Sequence, residues 1–229
     1  MTIVQPASSG ARTEIPPIIS VDDHIVEPPH LWQEWLPARY RDRGPRVERR
    51  RLGEMKWVGG AKMYEYELDT PDAPPAVAAS LSFNNAIASM SDFLFSGVLV
   101  RFPELTLAYS EGQIGWIPYI LERADDVWKE HRAWGGVADT IPEPPSTYYY
   151  RQIYGCFFRD NHGLRSLDEV GVDNITFETD YPHTDTTWPH TKQVAEEMMG
   201  HLPADVVWKI VRGNAARMLS LDIEPCPTV

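Results

Sequence analysis

The sequence predicts an α/β fold with a largely parallel sheet. Short apolar stretches typical of strands alternate with segments in which apolar residues recur roughly every three or four positions, as on one face of a helix. The clearest helical pattern runs from Gly115 to His131, and the clearest strand patterns cover residues 105–109 and 175–180. Because this alternation continues along the chain, we expect one α/β domain built from βα units.

The N-terminal third contains one predicted strand and an excursion from the α/β pattern. Residues 1–17 are predicted to form a flexible tail, and a single domain is predicted to extend over residues 18–229. The apolar segment that ends in Asp22–His24 predicts a buried strand that runs into a proline-stopped loop. Residues 46–68 are charged and broken by two glycines, which favours a hairpin or excursion outside the core. The proline-rich residues 69–76 are predicted to be a linker.

The remaining two thirds supply most of the predicted helices and the other strands. Apolar residues recur at helical spacing between Ala76 and Val100, as they do again before His131. The later predicted elements are a helix leading into a short strand at 148–158, a helical turn at 166–170, a strand at 175–180, and closing helices at 192–199 and 204–219. This order of elements is typical of parallel strands connected by helices.

The composition is that of an ordinary globular protein with an excess of acidic residues. The 229 residues include 21 Lys and Arg against 33 Asp and Glu, which gives a formal net charge of −12. This negative charge repels phosphate backbones and anionic lipids, so neither nucleic acid nor a membrane is an expected partner. The chain has no apolar run of the ~20 residues that a membrane helix needs, and its start lacks the apolar core of a secretory signal. We therefore expect a cytoplasmic protein whose partner is a small-molecule substrate.

Acidic residues and histidines occur at the ends of the first and last predicted strands. Asp22 and His24 are two apart on a strand, so the carboxylate and the imidazole point to the same side and can share one ion. Asp180 ends the last predicted strand, and His183 follows it closely. In α/β barrels, catalytic side chains come from the carboxyl ends of several strands, and the first and last strands are neighbours roughly 4.8 Å apart. A mixed nitrogen and oxygen ligand set suits zinc, manganese or iron better than magnesium.

Each of these motifs also has an ordinary structural explanation. An aspartate in a lone Asp-x-His sequence often caps a loop, and an aspartate before Tyr-Pro often forms a turn. Histidines near prolines or turns, such as His183, are mostly surface groups. From spacing alone, the function therefore stays open.

Several ordered stretches make the chain similar to the amidohydrolase-related family that includes aminocarboxymuconate-semialdehyde decarboxylase. These stretches occupy residues 18–32, 95–105, 111–118, 154–158, 177–183 and 213–219. The resemblance implies a TIM-barrel, (β/α)8-type fold with a bound divalent metal, zinc being expected first and manganese or iron as alternatives. By this resemblance, Asp22 and His24 match the first-strand metal motif. Asp180 matches the last-strand aspartate, which in the family is both a metal neighbour and a proton-transfer group.

The chain departs from the family pattern in its ligands and its length. The family has a metal-ligand histidine on a middle strand and often another histidine after the next. At the second place this chain has Ser110 and Glu111, so Glu111 is a substitute candidate. Only about four βα units are visible, whereas a complete barrel has twice as many and takes typically ~250 residues. A central segment is therefore predicted to be missing near residues 70–75, and the unpaired strand edges that result favour a homo-oligomer.

Three functions remain open at this point. The resemblance implies a metal-dependent hydrolase, in which metal-activated water attacks a small organic or cyclic substrate and Asp180 takes the proton. The family also contains decarboxylases of ring or unsaturated acids, in which the aspartate handles the proton at carbon. The departures from the family pattern allow a third function, an inactive remnant that serves only in association. For either reaction, Asp180 and His183 are the predicted catalytic residues, with His183 contacting the substrate.

Overall fold

A parallel three-stranded sheet lies in the larger of the two units into which the chain divides in the computed structural model. This unit comprises Met1–His24 and Ser82–Val229, and the smaller unit comprises Ile25–Leu81. The structure describes residues 12–24, 30–44, 46–50, 53–58, 61–62, 76, 80–183 and 185–226. Every candidate site residue named above belongs to the larger unit.

The strands of the parallel sheet lie side by side in chain order. They are β4 (Leu107–Tyr109), β5 (Ile153–Phe157) and β6 (Ile175–Phe177), with β5 in the middle. Parallel neighbours need long crossover connections, and here these connections are helical. The helices of this unit are Asn84–Phe95, Val98–Arg101, Ile117–His131, Pro145–Gln152, Leu167–Val170, Thr191–Met199, Ala204–Trp208 and Asn214–Met218. The predicted α/β class with parallel strands is therefore confirmed.

The closing helix predicted over residues 204–219 is interrupted. A π-helical turn at Lys209–Gly213 separates Ala204–Trp208 from Asn214–Met218, and the helical course continues through it. Shorter 3-10 turns occur at Gly163–Ser166 and Val172–Asn174. Among the described residues, no helix combines the length and the apolar character that a membrane crossing requires.

The N-terminal segment extends the sheet beyond β6 through one bridge. Asp23 pairs with Tyr181 in a parallel arrangement. The predicted strand through Asp22–His24 is thus shorter than expected, because Pro17 has no N–H and the N–H of Ile19 donates to Val211 in the π-helical turn at 2.9 Å. The predicted proximity of the first and last strand ends is nevertheless present.

Part of the predicted N-terminal tail packs against the rest of the larger unit. The backbone N–H of Thr13 donates to Gly200 at 2.9 Å, and its hydroxyl donates to Leu202 at 2.6 Å. Ile15 is buried in the core. Residues 1–11, the remainder of the predicted tail, lie outside the described residues.

Alternate residues of β5 and β6 divide between an apolar and a polar side of the sheet. Ile153, Phe157, Ile175 and Phe177 are fully buried and belong to the hydrophobic core. The residues between them include Thr176 and Cys156, which are equally buried, and the Thr176 hydroxyl donates to the Cys156 sulfur at 2.9 Å. The polar side continues along the chain into the residues of the candidate site.

The smaller unit contains an antiparallel sheet within the predicted excursion. Its strands are β1 (Arg46–Arg50), β2 (Gly53–Val58) and β3 (Ala61–Lys62), and two short helices, Leu31–Trp35 and Ala38–Arg41, precede them. Residues 63–68 and most of the predicted linker at 69–76 lie outside the described residues. The predictions of a missing central segment and of a single domain over 18–229 stay predictions.

The aromatic pair in the sheet is expected to contribute strongly to stability. Phe157 and Phe177 are fully buried, and their ring centroids are 5.5 Å apart at an interplanar angle of 78°. Replacing Phe177 with alanine leaves a cavity, so the free energy of unfolding should fall by about 3–5 kcal/mol in urea titrations. The control Tyr119→Ala, at a side chain that is 69% exposed, should change it by less than about 0.5 kcal/mol. Equal effects of the two substitutions would contradict this packing.

Candidate metal centre

Four side-chain donor atoms converge at the carboxyl ends of the parallel strands. They belong to His24, Glu111, Asp180 and His183, and all lie within 4.8 Å of one another. The Nε2 atom of His24 is 3.0 Å from Asp180 Oδ1 and 3.4 Å from Glu111 Oε1. The Nδ1 atom of His183 is 2.9 Å from the same Asp180 oxygen and 3.7 Å from the same Glu111 oxygen. Each imidazole therefore faces both carboxylates.

These separations fit a single divalent ion. Four ligands placed tetrahedrally around an ion, at bond lengths of about 2.0–2.2 Å, lie about 3.4 Å apart. The four nitrogen–oxygen separations in this group, 2.9, 3.0, 3.4 and 3.7 Å, lie on either side of that value. Two imidazole nitrogens and two carboxylate oxygens form the mixed ligand set that zinc, manganese and iron accept. The described residues can therefore hold a divalent metal.

The two carboxylate residues adopt a backbone conformation that is uncommon outside glycine. Asp180 has a φ of 56° and Glu111 a φ of 55°. Such left-handed residues persist where the surrounding structure fixes them, and they cluster at functional sites. Asp180 is 1% exposed, and its backbone N–H donates to the carbonyl of Asp22 at 3.1 Å. Both residues that present oxygen atoms to the centre thus have this conformation, which Gln113 and Ser220 share among the described residues.

Residues around the N-terminal bridge hold Asp180 in place. The hydroxyl of Thr179 donates to the carboxylate of Asp23, and the N–H of Thr179 donates to the hydroxyl of Ser20 at 3.0 Å. The same Ser20 hydroxyl donates to the carbonyl of Asp22 at 3.1 Å. These bonds tie the first segment to the residue that precedes Asp180, and so fix the two halves of the centre relative to each other.

The two imidazole rings of the centre are stacked. The centroids of His24 and His183 are 4.1 Å apart, with 22° between the planes. The backbone N–H of His183 donates to the carbonyl of Asp180 at 2.9 Å, in a turn that contains a cis Tyr181–Pro182 bond. The turn returns His183 to the carboxylate that it follows in sequence, so that both rings present nitrogen atoms to Asp180.

The electrostatics of the centre favour a bound cation. Burial, reinforced by repulsion from Asp180, raises the pKa of Asp22. Burial and repulsion from Asp180 and Asp22 likewise raise the pKa of Glu111. Burial opposes the protonation of His24, but attraction to Asp22 and the hydrogen bond to Asp180 outweigh it and raise its pKa. A divalent ion would relieve the same crowding of carboxylates.

The structure brings together most of the residues that the sequence indicated. His24 and Asp180 lie in the group of four, and so do Glu111 and His183, of which Glu111 was the weaker metal candidate. Asp22 lies beside this group, with its Oδ1 atom 3.6 Å from His24 Nε2. The roles of these residues as ligands or catalysts stay predictions.

One carboxylic acid beside the centre was missed by sequence reasoning. Glu178 is fully buried, and burial raises its pKa to about 8. The available signal for its place beside the centre was its spacing from Asp180 in the predicted strand at 175–180, because residues two apart on a strand point to the same side. Cys156 lies on the same polar side of the sheet, and burial raises the pKa of its thiol to about 12.

Comparison with known proteins identifies the family. The model of the amidohydrolase family matches residues 81–221. The chain belongs to the amidohydrolase family. The recognition made from the sequence motifs is thereby confirmed, and the TIM-barrel class with it, the parallel sheet forming part of such a barrel.

Solved structures of similar proteins match this amidohydrolase over part of its length. An amidohydrolase from Mycobacterium avium subsp. paratuberculosis is 20% identical, with a TM-score of 0.55 over 66% of this chain and 37% of its own. The 5-carboxyvanillate decarboxylase from Sphingomonas paucimobilis is 25% identical, with a TM-score of 0.48 over 58% of this chain and 38% of its own. A dihydroxybenzoic acid decarboxylase from Polaromonas sp. JS666, with bound manganese and 2-nitroresorcinol, is 19% identical, with a TM-score of 0.46 over 65% of this chain and 47% of its own.

The amidohydrolase chain thus spans less than half the length of each of these three proteins. The likeness to the mycobacterial protein supports the barrel fold. No curated protein matches the chain.

The buried thiol beside the centre should be unreactive in the folded amidohydrolase. Cys156 is fully buried with a raised pKa, and the thiolate is the form that attacks thiol reagents. We expect a Cys226→Ser variant to show no fast reaction with a colorimetric disulfide reagent at pH 8, and one thiol per chain after denaturation. The matched Cys156→Ser variant identifies any signal that comes from Cys226. Fast modification of folded Cys226→Ser would contradict the burial of Cys156.

Proposed function

We propose that this amidohydrolase is a metal-dependent hydrolase that acts on a small organic or cyclic substrate. The observation that carries the proposal is the convergence of His24, Glu111, Asp180 and His183 on one point at the strand ends. When bound, a divalent ion would polarise a substrate oxygen and activate water as a nucleophile. Zinc is the proposed ion, with manganese or iron as alternatives, because the group combines nitrogen and oxygen donors.

The proposed roles follow from the burial of each residue. His24, Asp180 and Glu111 would hold the ion, and Asp22, 3.6 Å from His24, would act as an additional ligand or neighbour. Asp180 is 1% exposed and is proposed to take the proton from the attacking water, since it is shielded from bulk solvent. The side chain of His183 is about half exposed and is therefore proposed to contact the substrate.

Decarboxylation of a ring or unsaturated acid is the second candidate. The observation that favours it is the hydrogen bond between Asp180 Oδ2 and His183 Nδ1 at 3.1 Å, which connects the buried carboxylate to a solvent-accessible imidazole. Loss of carbon dioxide requires a proton at the substrate carbon, and this pair offers a route by which Asp180 can be reprotonated. The same residues therefore serve either reaction, and the products distinguish them.

Metal content tests the proposal first. Purified protein should contain close to one zinc, manganese or iron ion per chain. His24→Ala, which removes a donor atom, or Asp180→Asn, which removes a carboxylate charge, should weaken the affinity by at least about tenfold. The matched control is His201→Ala, at an exposed histidine of the same unit, which should keep the ion. Folded protein that binds none of these metals when they are supplied would rule the proposal out.

A substrate screen then separates the two reactions. Amides, lactones and ring carboxylates are incubated with metal-loaded protein, and acid production and carbon dioxide release are measured in parallel. Acid production abolished by Asp180→Asn supports hydrolysis, whereas carbon dioxide release abolished by the same change supports decarboxylation. Turnover that persists in Asp180→Asn at the unchanged rate would contradict the role of Asp180 in both.

A further inference from the structure

A buried carboxyl group lies beneath the metal centre without belonging to it. Glu178 directly follows β6 and is fully buried. Its Oε1 atom accepts the backbone N–H of Glu111 at 2.9 Å. Its Oε2 atom is buried without a hydrogen-bond partner among the described residues. Glu178 is therefore close to the centre, although the group of four donors found among the described residues does not include it.

The hydrogen bond to Glu178 holds Glu111 at its backbone, beside the partly exposed side chain that reaches His24. Glu111 follows β4 in a tight turn, in which the N–H of Gly112 donates to Tyr109 at 3.3 Å. Its φ of 55° is uncommon for a residue with a side chain. Nearly half of its side chain is exposed, so packing alone does not fix the carboxylate. Its position near His24 therefore depends on what holds the backbone.

The rest of this loop is fixed by other contacts. The carboxylate of Asp160 accepts the N–H groups of Ile114 and Gly115 at 2.8 and 2.6 Å. The indole N–H of Trp116 donates to the carbonyl of Gly112 at 2.6 Å. These bonds secure the segment that enters the helix Ile117–His131, and they leave the backbone N–H of Glu111 to Glu178. The loop is thus attached to the sheet at the residue that points into the centre.

Burying a carboxylic acid that accepts only one hydrogen bond destabilises the fold by more than the pairing of one backbone N–H stabilises it. Burial of an ionisable group with an unpaired oxygen destabilises a fold, and an apolar side chain of similar volume is often the more stable choice. The residue on the opposite side of the same strand end, Phe177, is such an apolar residue and is packed in the core. A stability role therefore does not account for Glu178, whereas a role in placing Glu111 does.

We propose that Glu178 is a positioning residue of the metal centre, which holds the Glu111 backbone so that the Glu111 carboxylate stays within reach of the same ion as His24 and Asp180. This inference rests on the proposed metal-dependent function and adds a residue that acts through Glu111. Removal of the acceptor oxygen lets Glu111 leave its left-handed conformation, and its carboxylate then moves away from the two imidazoles.

The test compares Glu178→Leu, which removes the acceptor, with Glu178→Gln, which keeps an acceptor oxygen at the same place. Affinity is measured by competition with a chromophoric chelator, and the ligand set is followed by the visible absorption of the cobalt-substituted protein. Glu178→Leu should bind metal at least about tenfold more weakly and change the cobalt spectrum, as outer residues of metal sites do. Glu178→Gln should keep the wild-type cobalt spectrum and a metal affinity within about threefold of the wild-type value.

Two further variants separate positioning from general destabilisation. Phe177→Ala weakens the same strand from its apolar side and should leave the cobalt spectrum unchanged. In a Glu111→Ala background, Glu178→Leu should have no additional effect on affinity, because the residue through which it acts is gone. If Glu178→Leu does not fold, Glu178→Ala, which also lacks the acceptor oxygen, is read in the same way.

The outcomes also separate this inference from the proposed function. Wild-type protein that binds no metal overturns the proposed function and this inference together. If the wild-type protein binds metal, and a folded Glu178→Leu or Glu178→Ala variant has the same affinity and the same cobalt spectrum, only the role of Glu178 is overturned. Glu178→Leu could also lower the metal affinity equally in the wild-type and the Glu111→Ala backgrounds. That result would overturn the role of Glu178 as well, since Glu178 would then act by another route.

Discussion

Two backbone hydrogen bonds between the N-terminal segment and the chain beyond β6 bring the residues of the centre together. The N–H of His24 donates to Tyr181 at 2.6 Å, and the N–H of Asp180 donates to Asp22 at 3.1 Å. His24 and Asp180 are 156 positions apart, but the entropy of closing a loop grows only with the logarithm of its length. The arrangement also needs the pairing of β5 with β6, because the segment beyond β6 carries the backbone groups to which the first segment is hydrogen-bonded. The centre therefore depends on assembly of the sheet.

The strand ends that carry the centre were predictable, whereas the residues that support them were not. His24 and Asp180 follow apolar strand patterns, and parallel strands place their carboxyl ends at one edge of a sheet. An acidic residue near a strand end is usually solvated, so the burial of Glu178 is not visible in the sequence. The first strand was predicted too long, because apolar character does not reveal that the N–H of Ile19 bonds to Val211 instead of a neighbouring strand.

The centre concentrates negative charge in a chain that is already acidic. With a formal net charge of −12, the protein gains nothing in solubility from further carboxylates at this point, and each buried one opposes folding. Repulsion among Asp22, Glu111 and Asp180 contributes to the raised pKa values of the first two. An arrangement of this kind is stabilised by whatever cation it binds, so the free energy of folding and the affinity for a cation are linked.

As a ligand, the Glu111 carboxylate would give this centre a charge balance different from that of a centre with a further histidine. The family pattern often has a second histidine beyond the middle-strand one, and Glu111 stands at that place in the group found among the described residues. A histidine ligand is neutral. Under the proposed function, Glu111 and Asp180 would together cancel the charge of a divalent ion, whereas Asp180 with a histidine in place of Glu111 would leave part of that charge uncompensated. Oxygen donors also shift the preference of a site from zinc towards manganese. Under the proposed function, Glu111 therefore bears on how tightly an ion is held, on which ion is preferred and on how strongly that ion polarises a substrate oxygen.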